Sequence, residues 1–257
     1  MLELKGISKY YNPGTINEMC LFKGFDLTIE KGEFLSVVGS NGSGKTSMLN
    51  IICGSIPAES GQILMGGRDI TKEKEFKRNA KIGRVYQNPA MGTCPSMTIL
   101  ENMSLADNKG KLYGLGRGTN KARINFYREQ LSWLGLGLED KLDVKVGALS
   151  GGQRQAMALL MSTMTPIEFL ILDEHTAALD PKTADLIMEL TDRIVREKKL
   201  TTIMVTHNLR YAVEYGDRLI MMHEGTVILD KKGEEKQAVS VEDVLTLFNE
   251  ISIECGN

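Results

Sequence analysis

The sequence predicts an α/β chain built on parallel strands, and three observations carry this prediction. Residues 34–40 (FLSVVGS) are almost continuously apolar, as in a strand buried on both faces, and a glycine-rich loop and a helical pattern follow them. Two later apolar runs, residues 169–172 and 202–205, each end at a polar residue. From about residue 96 to residue 163 the apolar residues recur at helical steps. We therefore expect parallel strands that carry functional groups at their carboxyl ends, with a helical lobe inserted between them.

The remaining elements follow in chain order. Residues 2–8 (LELKGIS) and 25–30 (FDLTIE) are typical of strands, and glycine-containing turns separate them. The helical spacing of the middle segment is carried by Ile124, Tyr127, Leu131 and Leu134. Residues 218–230 predict a hairpin that turns at Glu224 and Gly225, and residues 241–252 predict a closing helix.

The composition is that of a globular protein. Of the 257 residues, 42% are hydrophobic and 25% are charged, which argues against a disordered, collagen-like or coiled-coil chain. There are 31 Lys+Arg and 33 Asp+Glu residues, so the formal net charge is −2. This balance argues against a protein that binds nucleic acid through bulk charge, and we expect no nucleic-acid partner. The length suits two lobes, because domains usually have about 100–200 residues.

The cysteines and the amino-terminal residues indicate the cellular compartment in which we expect the chain. The four cysteines, none of which forms a C-x-x-C pair, are Cys20, Cys53, Cys94 and Cys255. We expect neither a zinc site nor a disulfide framework, and a reducing cytoplasm fits this spacing. Glu3 and Lys5 interrupt what would have to be the apolar part of a signal peptide, and no apolar run approaches the roughly 18–20 residues of a membrane span. We expect a cytoplasmic chain that reaches a membrane only through a partner.

Three other features have structural interpretations. The mixed charges of residues 71–81 are typical of a solvated helix face. Met157, Met161 and Met164, spaced by four and three residues, indicate core packing, and we expect Trp133 to be buried.

The pattern G-x-x-x-x-G-K-[ST] lies between the buried strand and the helix that follows it. Its residues are Gly39, Ser40, Asn41, Gly42, Ser43, Gly44, Lys45 and Thr46, followed by Ser47. Such glycines let backbone N–H groups surround a phosphate at a helix N-terminus. Lys45 would reach the β- and γ-phosphates of a nucleotide, and Thr46 would give its hydroxyl oxygen to Mg²⁺. A chance glycine-rich turn is the alternative, which the flanking strand and helix disfavour.

Two weaker patterns follow. Asp173 and Glu174 end the apolar run 169–172, where one carboxylate could hold Mg²⁺ and the next could deprotonate a water, although a solvated strand end looks the same. Ser150 precedes Gly151, Gly152 and Gln153 and a helical segment, so it is an N-cap candidate. The backbone N–H groups of the two glycines would form a second anion site at the start of this helix. An ordinary capped helix is the alternative reading of that segment.

In their order along the chain these motifs resemble the ATP-binding cassette (ABC) family. The resemblance rests on Walker A (residues 39–46), Gln87, the signature LSGGQ (149–153), Walker B (169–174), Ala178-Leu179-Asp180 and Thr206-His207. It implies a P-loop NTPase core with a small antiparallel β subdomain and an inserted α-helical subdomain. It also implies that residues 1–90 and 165–257 form the ATPase core lobe and that about 91–164 form the helical lobe with the signature.

The resemblance assigns roles to individual residues. It implies that Tyr11 stacks on adenine, with Tyr10 as the alternative, and that Gln87 contacts Mg²⁺ and the attacking water where the segment facing the membrane partner begins. It further implies that His207 bonds the γ-phosphate and that Asp180 signals between two nucleotide sites. The catalytic residues would be Glu174, His207, Gln87 and Lys45, and the Mg²⁺ ligands Thr46, Gln87 and Asp173.

Similar cassettes pair head to tail, so that Ser150 and Gly152 of one chain close on the ATP held by Lys45 of the other. The resemblance therefore implies a second copy of the chain and transmembrane permease subunits as partners, with the chain peripheral on the inner face of the membrane. Residues 11–18, together with Asp173-Glu174-His175, resemble a subset of bacterial cassettes paired with lipoprotein receptors and branched-chain amino-acid-type permeases, which suggests import of an amino acid or nucleoside. The alternatives are a soluble cassette of DNA repair or translation, which usually carries a long insertion or two cassettes, and a P-loop kinase or GTPase, which lacks LSGGQ.

One position departs from the family pattern. His175 stands where similar cassettes have proline after the Asp-Glu pair. The imidazole could tune the neighbouring base, or the position could simply tolerate histidine, and we favour the second interpretation.

Overall fold

The structure, a computed structural model, describes residues 1–111 and 118–254, with side chains up to residue 250. Cys255 lies outside the described residues. The strands are β1 (Leu2–Tyr11), β2 (Met19–Ile29), β3 (Phe34–Gly39), β4 (Ser60–Met65), β5 (Arg68–Asp69), β6 (Ile82–Val85), β7 (Phe169–Asp173), β8 (Thr202–Val205), β9 (Arg218–His223) and β10 (Thr226–Lys232). The α-helices are α1 (Lys45–Cys53), α2 (Glu75–Asn79), α3 (Ile99–Asp107), α4 (Ile124–Ser132), α5 (Gly151–Ser162), α6 (Pro181–Lys198), α7 (Leu209–Glu214), α8 (Glu234–Gln237) and α9 (Val241–Glu254).

The chain divides into two compact units. The first comprises residues 1–79 and 199–257, and the second comprises residues 80–198. The helical lobe expected at about 91–164 lies inside the second unit, together with β6, β7 and α6.

The first unit contains parallel strands and an antiparallel sheet. β3 pairs in parallel with β8 on one side and β9 on the other, and every residue of β3 is buried. β10 pairs with β9 through a two-residue turn at Glu224 and Gly225, both at positive φ, which confirms the predicted hairpin. The antiparallel sheet has the strand order β2-β1-β4-β5. The predicted strand at residues 25–30 thus belongs to a longer strand, β2, that begins at Met19.

The second unit places a parallel pair of strands beside a helical core. β6 and β7 pair in parallel, with Ile82 opposite Phe169. The core of this unit is supplied by α3, α4, α5 and α6 and includes Ile99, Met103, Tyr127, Leu131, Leu134, Leu138, Met157, Leu160 and Ile187. Tyr127 and Leu131 on α4 are fully buried, which confirms the helical spacing predicted for this segment. Met161 and Met164 pack against the same core, as expected.

One expectation about side-chain burial is wrong, and another fails at a single residue. Trp133 is 37% exposed, because it follows the end of α4 and its ring lies 5.0 Å from the Arg193 guanidinium rather than in the core. Arg78, in the charged run, is only 4% exposed and donates to the carbonyl oxygens of Ile51 and Ile52 at the end of α1. These bonds add to the cap at the C-terminus of α1, where the Ile51 carbonyl also accepts from the Gly54 N–H, so Arg78 is structural rather than solvated.

Among residues 1–111 and 118–254, no helix combines the length and the apolar character that a membrane crossing requires.

Candidate active site

The loop between β3 and α1 depends on its glycines. A Cβ on Gly39 would lie 2.2 Å from the Met222 carbonyl oxygen, and one on Gly44, at φ 102°, would lie 2.8 Å from the Phe22 ring. Gly42 is also at positive φ, but no atom lies within 4 Å of the position its Cβ would take. Two glycines are therefore required by close packing, while the third lies beside open space. No side chain of the described residues caps α1 at Gly44, and a helix N-terminus of this kind favours a bound anion.

Lys45 places a buried positive charge in this loop. The side chain is 5% exposed, and its ammonium donates to the carbonyl oxygens of Gly39 (2.7 Å) and Ser40 (2.8 Å) and to Ser43 Oγ (3.3 Å). The ammonium thus lies with the positive end of the α1 dipole, an arrangement that favours a bound anion. Thr46 is exposed on the first turn of α1.

His207 lies on the same cavity as the loop. The Thr206 N–H donates to the Val37 carbonyl oxygen (3.1 Å), which aligns the end of β8 with the end of β3. An exposed His207 follows. A cavity of about 340 Å³ is lined by Val38, Gly39, Ser40, Asn41, Thr206, His207, Leu209, Leu245 and Phe248. The first unit therefore brings together two motifs that are about 170 positions apart in the sequence.

Tyr11 lies at the start of the same helix. Its hydroxyl is 2.9 Å from Ser47 Oγ, on the first turn of α1, and the Lys9 ammonium is 5.4 Å from its ring centre. Tyr10 has different surroundings, because a hydrogen bond with the Cys20 side chain is the largest of the effects that hold the pKa of its phenol above the usual range. Neighbouring strand residues point to opposite faces, so only Tyr11 is turned towards the glycine loop.

The second unit holds the acidic residues. Asp173 ends β7, and its Oδ2 accepts a hydrogen bond from Arg84 Nη2 on β6 at 2.7 Å. Glu174 follows at φ +50°, a conformation that costs energy for a non-glycine residue and is concentrated at functional sites. Gln87 lies exposed after the end of β6. No sequence pattern singled out Arg84, because its ion pair depends on the register of two strands that are distant in the chain.

The signature segment begins α5 with a reciprocal cap. Ser150 Oγ accepts from the Gln153 N–H, and Gln153 Oε1 accepts from the Ser150 N–H, both at 3.2 Å. A Cβ on Gly152 would lie 2.2 Å from Thr183 Cγ2, so this glycine permits close packing against α6, whereas one on Gly151 would meet only Leu179 at 3.5 Å. The capping role of Ser150 predicted from sequence is confirmed.

Asp180 caps the start of α6. Its Oδ1 accepts from the Thr183 N–H at 3.1 Å, and hydrogen bonds from Thr183 hold the pKa of the carboxyl below its usual range. The N-cap position predicted for Asp180, one residue before Pro181, is therefore the one that the structure shows.

His175 is buried in the turn after Glu174. Its Nε2 lies 3.1 Å from Thr191 Oγ1, and Thr191 donates its own hydroxyl proton to the Ile187 carbonyl oxygen at 2.7 Å. The imidazole therefore donates from Nε2. Burial lowers the pKa of His175 to about 4, so the ring is neutral at neutral pH. This burial favours a packing role over pH sensing.

Comparison with known proteins defines the family. The ABC transporter family matches residues 22–177. The chain is 50% identical to a tyrosine transport ATP-binding protein from Clostridioides difficile, over 96% of this chain and 98% of that one. The chain belongs to the ABC transporter family. It is 36% identical to a spermidine/putrescine import ATP-binding protein from Spiroplasma citri, over 88% of this chain and 60% of that one.

A solved ABC structure extends the comparison. The dimeric post-hydrolysis state of an ATP-binding cassette bound to ADP and Pi superimposes with a TM-score of 0.75 at 31% identity, over 90% of this chain and 98% of that one. The fold is the mixed α/β ABC cassette, with a P-loop NTPase core, an antiparallel sheet and helical parts. The protein is thus the ATP-binding subunit of an ABC transporter and hydrolyses ATP. ABC ATPases form dimers and partner with transmembrane permease subunits.

Proposed function

We propose that this subunit drives the import of a small solute, an amino acid of the tyrosine class, from the inner face of the cell membrane. The observation that carries the proposal is the 50% identity to a tyrosine transport ATP-binding protein across almost the whole of both chains. Similarity to a polyamine import protein favours import over export. A lipoprotein receptor and a branched-chain amino-acid-type permease would complete the system, and a nucleoside is the second substrate class.

ATP binding is assigned to the first unit. An uncapped helix N-terminus, a buried lysine ammonium and a glycine with open space beside it fit the phosphates of a nucleotide. The loop residues 39–46 and Ser47 would hold the phosphates, and His207 would bond the γ-phosphate. Tyr11, beside Ser47, would stack on adenine, and Tyr11→Ala should weaken ATP binding by about 1–3 kcal/mol if stacking on a base is lost. An ATP affinity equal to that of the parent, measured by calorimetry, would remove this role from Tyr11.

Magnesium binding and catalysis are assigned to further residues of the chain. The side chains of Thr46, Gln87 and Asp173 offer oxygen donors, the ligand type that Mg²⁺ prefers, so the donor set fits this ion. Bound Mg²⁺ would neutralise charge that develops on the transferring phosphoryl group. Glu174 would accept a proton from the attacking water, and its left-handed backbone would fix the direction of its carboxylate.

Head-to-tail pairing would complete each site. The Ser150 to Gln153 segment begins a twelve-residue helix, so its N-terminus can receive a phosphate held by another chain. The dimeric ADP and phosphate complex of a related cassette supports this arrangement. In a head-to-tail dimer of this chain, Ser150, Gly151 and Gly152 of one chain would contact the γ-phosphate bound at Lys45 of the other. Asp180 would lie at the interface between the two chains.

The permease would contact the second unit. A groove of about 430 Å³ opens after β6, and its lining includes Met91, Thr93, Cys94, Asn102, Lys109 and Met161. Met91 is 67% exposed, an unusual exposure for a large apolar side chain at the rim of a groove. We assign this groove to a cytoplasmic segment of the permease.

Transport by the reassembled complex tests the proposal. The subunit, its genomically adjacent permease and the lipoprotein are reconstituted in vesicles, and uptake of labelled tyrosine is compared with uptake of labelled uridine. ATP-dependent tyrosine uptake that is lost with Lys45→Ala supports the proposal. Uptake of uridine alone would move the substrate to the nucleoside class, and ATP-driven efflux would overturn import.

A further inference from the structure

An ion pair joins the strands β6 and β7 at each end of the pair. At the amino end, Lys81 and Glu168, each one residue before its strand, form an ion pair in which both side chains are about 40% exposed. At the carboxyl end, Arg84 and Asp173 form the second pair, and their side chains are only 12% and 16% exposed. The two pairs link the same strands, but only the second includes a residue assigned to Mg²⁺.

Strand register sets the geometry of the second pair. Arg84 lies opposite Ile171 in the parallel pairing, and Asp173, two residues further along, projects from the same face as Ile171. The Arg84 side chain therefore crosses towards the end of β7, where Nη2 lies 2.7 Å from Oδ2 of Asp173.

A second set of contacts fixes the guanidinium. Its central carbon lies 4.8 Å from the ring centre of Tyr86, which directly follows the end of β6 and precedes Gln87. The Tyr86 carbonyl oxygen accepts from Nε2 of Gln155, a fully buried side chain on the signature helix α5. Arg84 thus connects Asp173 to the segment that leads to Gln87, and that segment is itself bonded to α5.

The charge of Arg84 bears directly on a cation at Asp173. An arginine stays protonated at every physiological pH, and a pair with so little exposure is weakly screened by water and salt. A carboxylate that already contacts a guanidinium attracts a second cation less strongly than an isolated one.

We propose that Arg84 is a positioning residue that fixes the Asp173 carboxylate and lowers its affinity for Mg²⁺, so that the metal is retained only together with nucleotide phosphates. This inference rests on the proposed function in one respect, namely that Asp173 faces Mg²⁺. Arg84 touches neither the phosphates nor the water in this proposal, and it acts through the Asp173 carboxylate alone.

A Mg²⁺ titration of nucleotide binding tests the inference. Binding of a non-hydrolysable ATP analogue is measured by calorimetry at increasing free Mg²⁺, and the half-saturating concentration is compared between variants. Arg84→Met should lower this concentration by about fivefold, because one positive charge beside the carboxylate is removed. Arg84→Gln, which keeps a hydrogen-bond donor and tolerates partial burial, should lower it in the same direction, and Arg84→Lys should remain close to the parent.

Lys81→Met is the matched control. It removes the other ion pair between the same strands and should leave the half-saturating Mg²⁺ concentration unchanged. If Arg84→Met and Arg84→Gln bind the analogue with the parent's Mg²⁺ dependence, or need more Mg²⁺, the inference is overturned. If Lys81→Met produces the same shift, the effect comes from strand pairing and the inference also fails.

Asp173→Asn separates this inference from the proposed function. It should raise the half-saturating Mg²⁺ concentration by about tenfold or more if Asp173 helps to hold the metal. If Asp173→Asn shifts the titration and the Arg84 variants do not, only the role of Arg84 is wrong. If Asp173→Asn has no effect, the Mg²⁺ assignment itself is wrong, and the inference falls with it.

Discussion

The two compact units each begin a helix with a glycine-rich turn, but they treat its N-terminus differently. At α1 no described side chain caps the helix, and the buried ammonium of Lys45 adds positive charge to the positive end of the dipole. At α5, Ser150 and Gln153 cap each other's backbone N–H groups. The first turn is therefore a ready anion site, whereas the second is stable without a ligand.

Contacts within one unit hold candidate residues in both units. In the second unit Asp173 pairs with Arg84, Asp180 with Thr183 and His175 with Thr191. In the first, Lys45 donates to the Gly39 and Ser40 carbonyl oxygens. Such contacts hold side chains in fixed directions. The difference between the units lies at the helix start, which no described side chain caps at α1 and which a reciprocal pair of side-chain bonds caps at α5.

Lys45→Ala gives the largest expected effect, because it removes the charge that distinguishes the α1 turn. ATP hydrolysis should fall by about 100-fold or more, since a group that stabilises charge on the transferring phosphoryl is lost. The measurement is phosphate release at saturating Mg²⁺ and ATP. Lys236 offers a matched control: it is also buried in the first unit and also donates to a carbonyl, that of Val213. Lys236→Ala should keep most of the activity, and equal losses in the two variants would refute a specific role for Lys45.

Glu174→Gln tests whether the α5 turn serves a second chain. The amide cannot accept a proton from water, so ATP should bind while hydrolysis stalls. We expect ATP to convert Glu174→Gln from monomer to dimer on a sizing column. Adding Ser150→Arg should prevent this, because the larger side chain would fill the second anion site. A double variant that still dimerises with ATP would contradict head-to-tail pairing, and a Glu174→Gln subunit with parental turnover would assign the base to another group.

The sequence predicted most of this architecture, and its failures share one physical cause. Buried apolar runs, the glycine loop, the hairpin at Glu224 and the caps at Ser150 and Asp180 are local patterns, and the structure confirms them. The ion pair of Arg84 and Asp173 needs the register of two strands separated by more than eighty residues. The burial of Arg78 and the exposure of Trp133 likewise depend on neighbours distant in the chain. Spacing alone cannot supply that information.

The burial of His175 in the second unit can be tested through the pH dependence of stability. Its pKa falls from 6.5 to about 4 in the folded state, so between these values the unfolded chain binds more protons than the folded one. The free energy of unfolding therefore keeps its full value above pH 6.5 as far as His175 is concerned. It decreases as the pH falls from 6.5 towards 4, by roughly 3 kcal/mol in total. Urea unfolding of the nucleotide-free subunit at pH 7.5, 6, 5 and 4.5, compared with His175→Gln, isolates this contribution. Parallel stability curves for the two proteins would show that the imidazole is accessible to protons.

The smallest expected effect is a difference in stability between alanine substitutions at the two neighbouring glycines of the α5 turn, Gly151 and Gly152. A methyl group on Gly152 would meet Thr183 Cγ2 at 2.2 Å, and a β-branched side chain has few alternative rotamers, so Gly152→Ala should destabilise the protein by about 1–2 kcal/mol. Gly151→Ala meets no such obstacle and should be neutral or stabilising by up to about 1 kcal/mol, because alanine loses less backbone entropy in a helix. Urea midpoints of both variants measure the difference.

Thr183→Ser identifies the source of any loss at Gly152. It deletes Cγ2 but leaves the Thr183 backbone N–H that donates to Asp180. In the double variant, Gly152→Ala should regain most of its lost stability, giving a coupling free energy of about 1 kcal/mol between the two positions. Additive effects would mean that Gly152 is not required for packing against α6. The glycine at position 152 would then be needed only to keep the backbone N–H groups at the helix start accessible to an anion. In that respect the α5 turn would resemble the α1 turn.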